Sequence, residues 1–264
     1  NVKNNSGVAE IINKAASTTG GLHVTSTGNV TSNGTSLLLE NNGAGGLTID
    51  GTVNNNKGTL DITNTNNKLL ISSTGKVNSK GSSIDVTNSG ASGMHVQGKV
   101  NHRNAAGKVN FTNTNSDMVI GHTNTDFNIS SDADVNVNVT NGDVLNYGVV
   151  KTLIETVSGA DLNMNVANGA IGEEVGPCDG GICTGVGPGE RDLTKSINTS
   201  IDGVITANST GTGALINMAS LNKDMHVNKM HSDGRVILLA DDKTNKGATA
   251  YDILNMATDA DVPN

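Results

Sequence analysis

A unit of about 24 residues recurs along most of the sequence, and this repeat restricts the possible folds more than any other feature. Each copy contains three short segments in which apolar residues occupy every second position, as expected of strands with one buried face. The middle segments place Val30, Val53, Val77 and Val100 at equivalent positions. The outer segments supply the apolar pairs Leu22/Val24, Leu47/Ile49, Leu69/Ile71, Met94/Val96 and Met118/Ile120, and then Leu37/Leu39, Leu60/Ile62, Ile84/Val86, Val109/Phe111 and Val135/Val137.

Three half-apolar strands cannot form a core alone, but copies stacked on one another can. Each strand then pairs with its equivalent in the next copy, about 4.8 Å away. The sequence therefore predicts an all-β fold, a parallel β-helix of roughly 8 to 10 coils. A sandwich of antiparallel hairpins is the rival fold, and it leaves the equivalent columns unexplained.

The regularity of the repeat sets the expected boundaries. We expect regular coils over residues 20–170, a loop insertion rich in Gly, Pro and Cys over 171–200, and further coils over 201–264. Residues 1–20 are expected to form an irregular or capping segment, within which 8–15 reads either as a short helix or as a first coil.

A column of asparagines follows the third segment, two positions after its last apolar residue. Asn tolerates the left-handed backbone of a tight corner, and stacked amide side chains can hydrogen-bond along the axis. We therefore expect an Asn ladder. Its members are Asn41, Asn64, Asn88, Asn113, Asn141 and Asn168.

The composition argues against several classes of protein. There are 38 Asn, 29 Thr and 33 Gly but no Trp, which is unlike a helical enzyme domain. A net charge of −8 with only three Arg offers no electrostatic surface for nucleic acid. No apolar run approaches the roughly 20 residues of a membrane-spanning helix, so we expect no membrane span.

The copies at Gly46–Asn64, Gly75–Asn88 and Gly93–Asn113 resemble the repeats of filamentous-haemagglutinin-like exoproteins, large bacterial surface adhesins often exported by two-partner secretion. The resemblance covers residues 20–170 well and 200–240 loosely. It implies that the β-helix is right-handed, that it is secreted to the bacterial surface, and that it serves as a shaft carrying a binding or toxic tip.

Cys178 and Cys183 lie in the expected insertion, and Gly180 and Gly181 let the chain turn back between them. An extracellular rod would oxidise this pair to a structural disulfide that pins the insertion. Free thiols and a metal site are the alternatives, although neither a Cys-x-x-Cys spacing nor further ligands lie nearby.

Candidate catalytic and metal-binding residues are sparse. His23, His95 and His226 each lie between two apolar positions and are expected to point outward at separate places along the rod. Asp61 and Asp85 should be solvent-facing neighbours that a calcium ion could bridge, although a plain solvated face is the favoured interpretation. The only two phenylalanines, Phe111 and Phe127, fit core positions better than a sugar-binding platform.

These observations predict a non-enzymatic adhesin shaft without a cofactor, whose insertion contacts a host-cell or extracellular glycan or protein receptor. A filament subunit that stacks end to end on copies of itself is the alternative. A polysaccharide-active β-helix enzyme is the third possibility, and it would need paired carboxylates beside a groove.

Overall fold

The computed structural model of the 264-residue chain describes residues 1–14, 19–122, 127–147, 151–174, 194–221, 223–241 and 253–255. Within these ranges the protein is all β and has no helix. Three parallel sheets form the sides of a β-solenoid of about 8 turns, and equivalent positions in successive turns are roughly 25 residues apart in the sequence. The predicted fold class is confirmed, and the antiparallel sandwich is excluded because all the strand pairs formed by the described residues are parallel.

Sheet 1 contains β1 (Val2–Asn4), β4 (Asn29–Ser32), β7 (Thr52–Asn55), β10 (Lys76–Ser79), β13 (Lys99–His102), β16 (Ile129–Ser131), β19 (Ile154–Thr156), β21 (Ile197–Ser200), β23 (Leu215–Leu221) and β25 (Arg235–Asp241). Sheet 2 contains β2 (Val8–Asn13), β5 (Ser36–Asn41), β8 (Thr59–Asn64), β11 (Ser83–Asn88), β14 (Lys108–Asn113), β17 (Val135–Thr140), β20 (Leu162–Ala167), β22 (Ile205–Thr210), β24 (Met225–Ser232) and β26 (Ile253–Asn255). Sheet 3 contains β3 (Leu22–Val24), β6 (Leu47–Ile49), β9 (Leu69–Ile71), β12 (Met94–Val96), β15 (Met118–Ile120) and β18 (Val144–Asn146).

The strands pair in the register that the repeat predicts. Val30, Val53, Val77 and Val100 are successive partners in sheet 1. Val53 and Val77 are 0% exposed, and the apolar columns of the other two sheets are buried with them in one continuous core. Burial of each such side chain stabilises the fold by about 1.5 to 3 kcal/mol, so these columns of apolar side chains hold the coils together.

The chain differs from the expected boundaries at two places. Residues 1–13 already form strands β1 and β2, which pair in parallel with β4 and β5 and contribute Ala9 and Ile11 to the edge of the core. Within the expected insertion 171–200, Ile171 bridges Val144 and Ile216, and residues 197–200 form β21. Both ends of that segment therefore belong to the solenoid.

Phe127 departs from its expected core position. Phe111 is 0% exposed, as predicted, but Phe127 is 37% exposed and has a φ of 51°. The next residue, Asn128, is buried instead, and its amide donates to the carbonyls of Gln97 and Gly98 at 2.9 and 3.0 Å. The chain thus turns the aromatic ring outward and satisfies two backbone acceptors of the coil above.

The corner between sheets 1 and 2 requires glycine where coils pack closely. Gly58 has a φ of 64°, and a Cβ added there would overlap the Thr35 carbonyl of the preceding coil. Gly7 is the equivalent residue of the first coil and has a φ of 74°, but a Cβ there would meet nothing within 4 Å. Alanine at Gly7 would therefore introduce backbone strain alone, whereas alanine at Gly58 would introduce both backbone strain and steric overlap.

We expect Gly58→Ala to lower the free energy of unfolding by about 3 kcal/mol, because the methyl group adds overpacking to the left-handed strain. Gly7→Ala carries only the strain and should cost about 1 to 2 kcal/mol. Urea unfolding followed by circular dichroism measures both. Equal losses in the two variants would contradict the close approach of the coils at Gly58.

Candidate functional site

Four of the six predicted ladder asparagines form one buried hydrogen-bonded file, together with Asn13. Asn41, Asn64, Asn88 and Asn113 are each 0% exposed. The side-chain Nδ2 of each residue donates to the Oδ1 of the next at 2.7 to 2.8 Å, beginning at Asn13. Each amide also bonds the backbone of its own turn, as Asn41 does with the carbonyl of Gly43 at 2.8 Å. The file is therefore a structural element of the corner.

Asn141 and Asn168 lie outside this file. Asn113 is in register with Val139, so a valine takes the ladder position and the corner moves two residues further along the chain. Asn141 and Asn168 are exposed, bond to each other at 3.0 Å, and both have a φ of 59°. The left-handed backbone that we expected at all six ladder asparagines occurs only at Asn141 and Asn168. The four buried ladder asparagines are instead the last residues of their strands.

A second inward file of polar residues lines the corner that follows sheet 1. Ser32, Asn55, Ser79, His102 and Ser131 occupy successive positions, two residues after the buried apolar column. Ser79 illustrates their role, since its hydroxyl accepts from the Gly81 N–H at 3.0 Å. His102 lies two residues after the apolar Val100, and this spacing marks it as an inward residue. The Leu-His-Val type of pattern identifies only histidines that lie between two apolar residues, and those point outward.

His102 is the one ionisable side chain in that file. It is 0% exposed, and neither ring nitrogen makes a well-formed hydrogen bond to any described residue, although the backbone of Asn104 lies close enough to the ring to oppose part of the effect of burial on its pKa. Burial lowers the pKa of His102, because the protonated ring loses its hydration. The ring is therefore neutral in the folded chain at neutral pH.

We expect the fold to lose stability as the pH falls below about 6.5, the ordinary pKa of histidine in an unfolded chain. The unfolded state then binds a proton that buried His102 does not, so the free energy of unfolding drops by up to about 1.4 kcal/mol per pH unit. Urea unfolding at pH 7.5 and 5.5 measures the loss. His102→Asn, which repeats the residue type of Asn55 in the same file, should reduce the dependence, and an unchanged dependence would contradict this assignment.

The expected insertion leaves and re-enters the solenoid at one point. The Lys195 Nζ lies 2.7 Å from the Glu173 carboxylate, and the Glu173 N–H donates to the Lys195 carbonyl at 2.7 Å. The Asn217 amide donates to the Glu173 carbonyl at 2.9 Å, and the Asn146 amide donates to the Ser196 carbonyl at 2.9 Å. We call residues 171–174 and 194–196 the insert base, and 175–193 the insert.

A groove of about 450 Å³ lies beside the insert base. Asp143, Glu173, Glu174 and Arg235 give it charged walls, and Leu145 and Leu215 are among its apolar lining residues. Cys178 and Cys183 belong to the insert and lie outside the described residues, so their predicted disulfide stays a prediction.

The outward histidines lie apart from one another. His23 and His95 lie in sheet 3 with two strands between them, whereas His226 lies in sheet 2. His23 pairs with Asp50 at 2.6 Å, and the Ser72 hydroxyl and then His23 hold the pKa of that carboxyl below its ordinary value. Burial is the main cause that lowers the pKa of His95.

Asp61 and Asp85 are register neighbours on the outer face of sheet 2, as predicted. Burial, with the charge of Asp85, raises the pKa of Asp61. Asp85 accepts from the Asn110 amide at 2.6 Å, and the amide file continues through Asn136 and Asn163. Among the described residues, no group of three or more His, Cys, Asp or Glu side chains is placed to hold a metal ion.

Comparisons with known proteins add no assignment, since no family model, curated protein or solved structure matches this chain. In the part of the chain that the structure describes, none of the elements is a helix with the length and apolar character needed to cross a membrane.

Proposed function

We propose that this chain is a non-enzymatic β-solenoid shaft of a secreted bacterial surface adhesin, similar to filamentous-haemagglutinin-like exoproteins, and that its insert contacts a host-cell or extracellular glycan or protein receptor. The observation that carries the proposal is the insert base, where the ion pair of Glu173 with Lys195 and the amide of Asn217 hold both ends of the insert against the stack. A loop held on a regular scaffold is a common arrangement for recognition.

The experiment replaces residues 175–193 by a short Gly-Ser linker. The shortened chain and the full chain are then compared for binding to cultured cells and to immobilised matrix proteins and glycans. We expect the shortened chain to unfold at the same denaturant concentration but to lose receptor binding. A chain carrying the same insert residues in scrambled order is the matched control and should also lose binding. Full binding by the shortened chain would refute the proposed role of the insert.

End-to-end assembly is the second candidate function, and the first coil favours it. Val2 and Val8 are 45% and 62% exposed, and the outer edges of β1 and β2 have no partner strand among the described residues. Such an edge can accept a further strand. Electron microscopy of the purified chain separates the two functions, because a filament subunit forms continuous fibres that Val2→Lys and Val8→Lys should abolish.

A polysaccharide-active enzyme is tested directly by a depolymerisation screen. The shaft proposal expects no turnover of any polysaccharide. Turnover that disappears when one carboxylate, such as Glu174 in the groove beside the insert base, is replaced by its amide would overturn the non-enzymatic assignment.

A further inference from the structure

Two successive rows of sheet 1 place four basic side chains on the outer surface. Lys76 is the register partner of Lys99 on β10 and β13. The turns that follow keep this register, since the backbone N–H groups of Lys80 and Arg103 donate to the coil above at 2.9 and 2.8 Å. We call Lys76, Lys80, Lys99 and Arg103 the basic patch.

The charge of the basic patch is poorly compensated. Among the described residues, Lys76, Lys80 and Lys99 form no ion pair, whereas Arg103 pairs with Asp132 at 2.9 Å. Residues 51–57, 75–81 and 98–104 contain no carboxylate, although the chain as a whole carries a net charge of −8. Like charges on neighbouring strands, about 4.8 Å apart, destabilise a sheet. A bound polyanion would relieve this repulsion.

A row of amides runs between the basic side chains. The Asn101 amide donates to Asn78 at 2.9 Å, and the Asn78 amide donates to Asn54 at 3.0 Å. These three residues line a groove of about 450 Å³ together with Lys80, Lys99 and Arg103. Each amide has further donor and acceptor capacity, which suits the hydroxyl groups of a sugar.

We propose that the basic patch and its amide row bind an acidic polysaccharide that lies along the solenoid axis. Its carboxylate or sulfate groups contact the Lys and Arg side chains, and its hydroxyls contact Asn54, Asn78 and Asn101. The groove has no aromatic lining residue on which nucleobases could stack, which favours a polysaccharide over a single-stranded nucleic acid. The basic patch and its amide row share no residue with the insert or the insert base, so this inference goes beyond the proposed function and is tested independently of it.

The experiment measures binding of the full chain to fluorescent oligosaccharides of hyaluronan, which bears carboxylates, and of chondroitin sulfate, which bears both anionic groups. Neutral dextran and duplex DNA are the comparison ligands. We expect at least one acidic oligosaccharide to bind in a salt-sensitive manner, dextran not to bind, and K76Q/K80Q/K99Q to weaken the Kd by about ten-fold or more. The chain with the shortened insert should bind as the full chain does, which separates this test from that of the proposed function.

K14Q/K68Q/K229Q makes the same change in net charge away from the patch and should leave the Kd within about two-fold. K76R/K80R/K99R should retain binding. If the triple Gln variant does not fold, N78D tests the proposal instead, because it places a carboxylate in the amide row at nearly constant volume. We expect N78D to abolish binding. N138D, which places the same charge on sheet 2, should leave binding unchanged. Absence of binding to both acidic ligands, equal losses in the two triple Gln variants, or equally tight binding of DNA would overturn the proposal.

Discussion

Asn64→Ala should lower the free energy of unfolding by about 3 to 5 kcal/mol, because it interrupts the buried amide file at its centre. Asn64 accepts from the Asn41 amide at 2.8 Å and donates to Asn88 at 2.7 Å and to the Asn66 carbonyl at 2.8 Å. Truncation leaves these polar groups short of partners in a site that water cannot easily reach, and each such group costs about 1 to 3 kcal/mol.

Asn56→Ala is the matched control for this substitution. Asn56 is exposed and donates to Asn33 at 2.7 Å, so its amide bond resembles those of the ladder in geometry but not in burial. We expect it to change the free energy of unfolding by less than about 0.5 kcal/mol. Urea unfolding of both variants measures the contrast, and similar small losses in both would show that the ladder adds little to stability.

Phe111→Ala should be comparably damaging, with an expected loss of about 3 to 5 kcal/mol. Phe111 is among the largest fully buried side chains and lies in register between Val86 and Val137. Its removal opens a cavity between coils that touch only their neighbours, so the coupling of the two halves of the stack weakens. Hydrogen exchange of the amides in β11, β14 and β17 should rise together with the loss of stability.

Phe127→Ala removes the same side chain from a position that is 37% exposed. We expect it to cost less than about 1 kcal/mol, because little apolar surface leaves the core. The sequence pattern predicts a core position for both phenylalanines, so this pair also measures the energetic consequence of that error. A large loss at Phe127 and a small one at Phe111 would reverse the burial described for the two rings.

The regular part of the fold was predictable because two sequence signals agree: the alternation of apolar and polar residues within each strand, and the constant spacing between repeats. An apolar residue at every second position identifies the buried face, and constant spacing brings Val53 above Val77. At residues 8–15 the sequence left a short helix and a first coil as alternatives, because β1 and β2 expose Val2 and Val8 and so lack the strong apolar signal of later copies. The pairing of β2 with β5 decides for the coil.

The ladder was only partly predictable, for a specific physical reason. Sequence spacing places Asn141 two residues after Val139, just as Asn113 follows Phe111, but the third buried residue of β17 is a valine, and Val139 occupies the ladder site. Only strand register separates these alternatives. The basic patch was likewise hidden, because its four cations are brought together by stacking and are separated by up to 27 positions in the chain.

The geometry of the insert base also bears on how such chains can diversify. Because residues 173 and 195 lie side by side, the chain re-enters the stack next to the point at which it leaves. The closure entropy of a longer segment grows only slowly with its length. Modules of very different size, provided that their two termini lie close together, can therefore be exchanged at this junction while the stack retains its register.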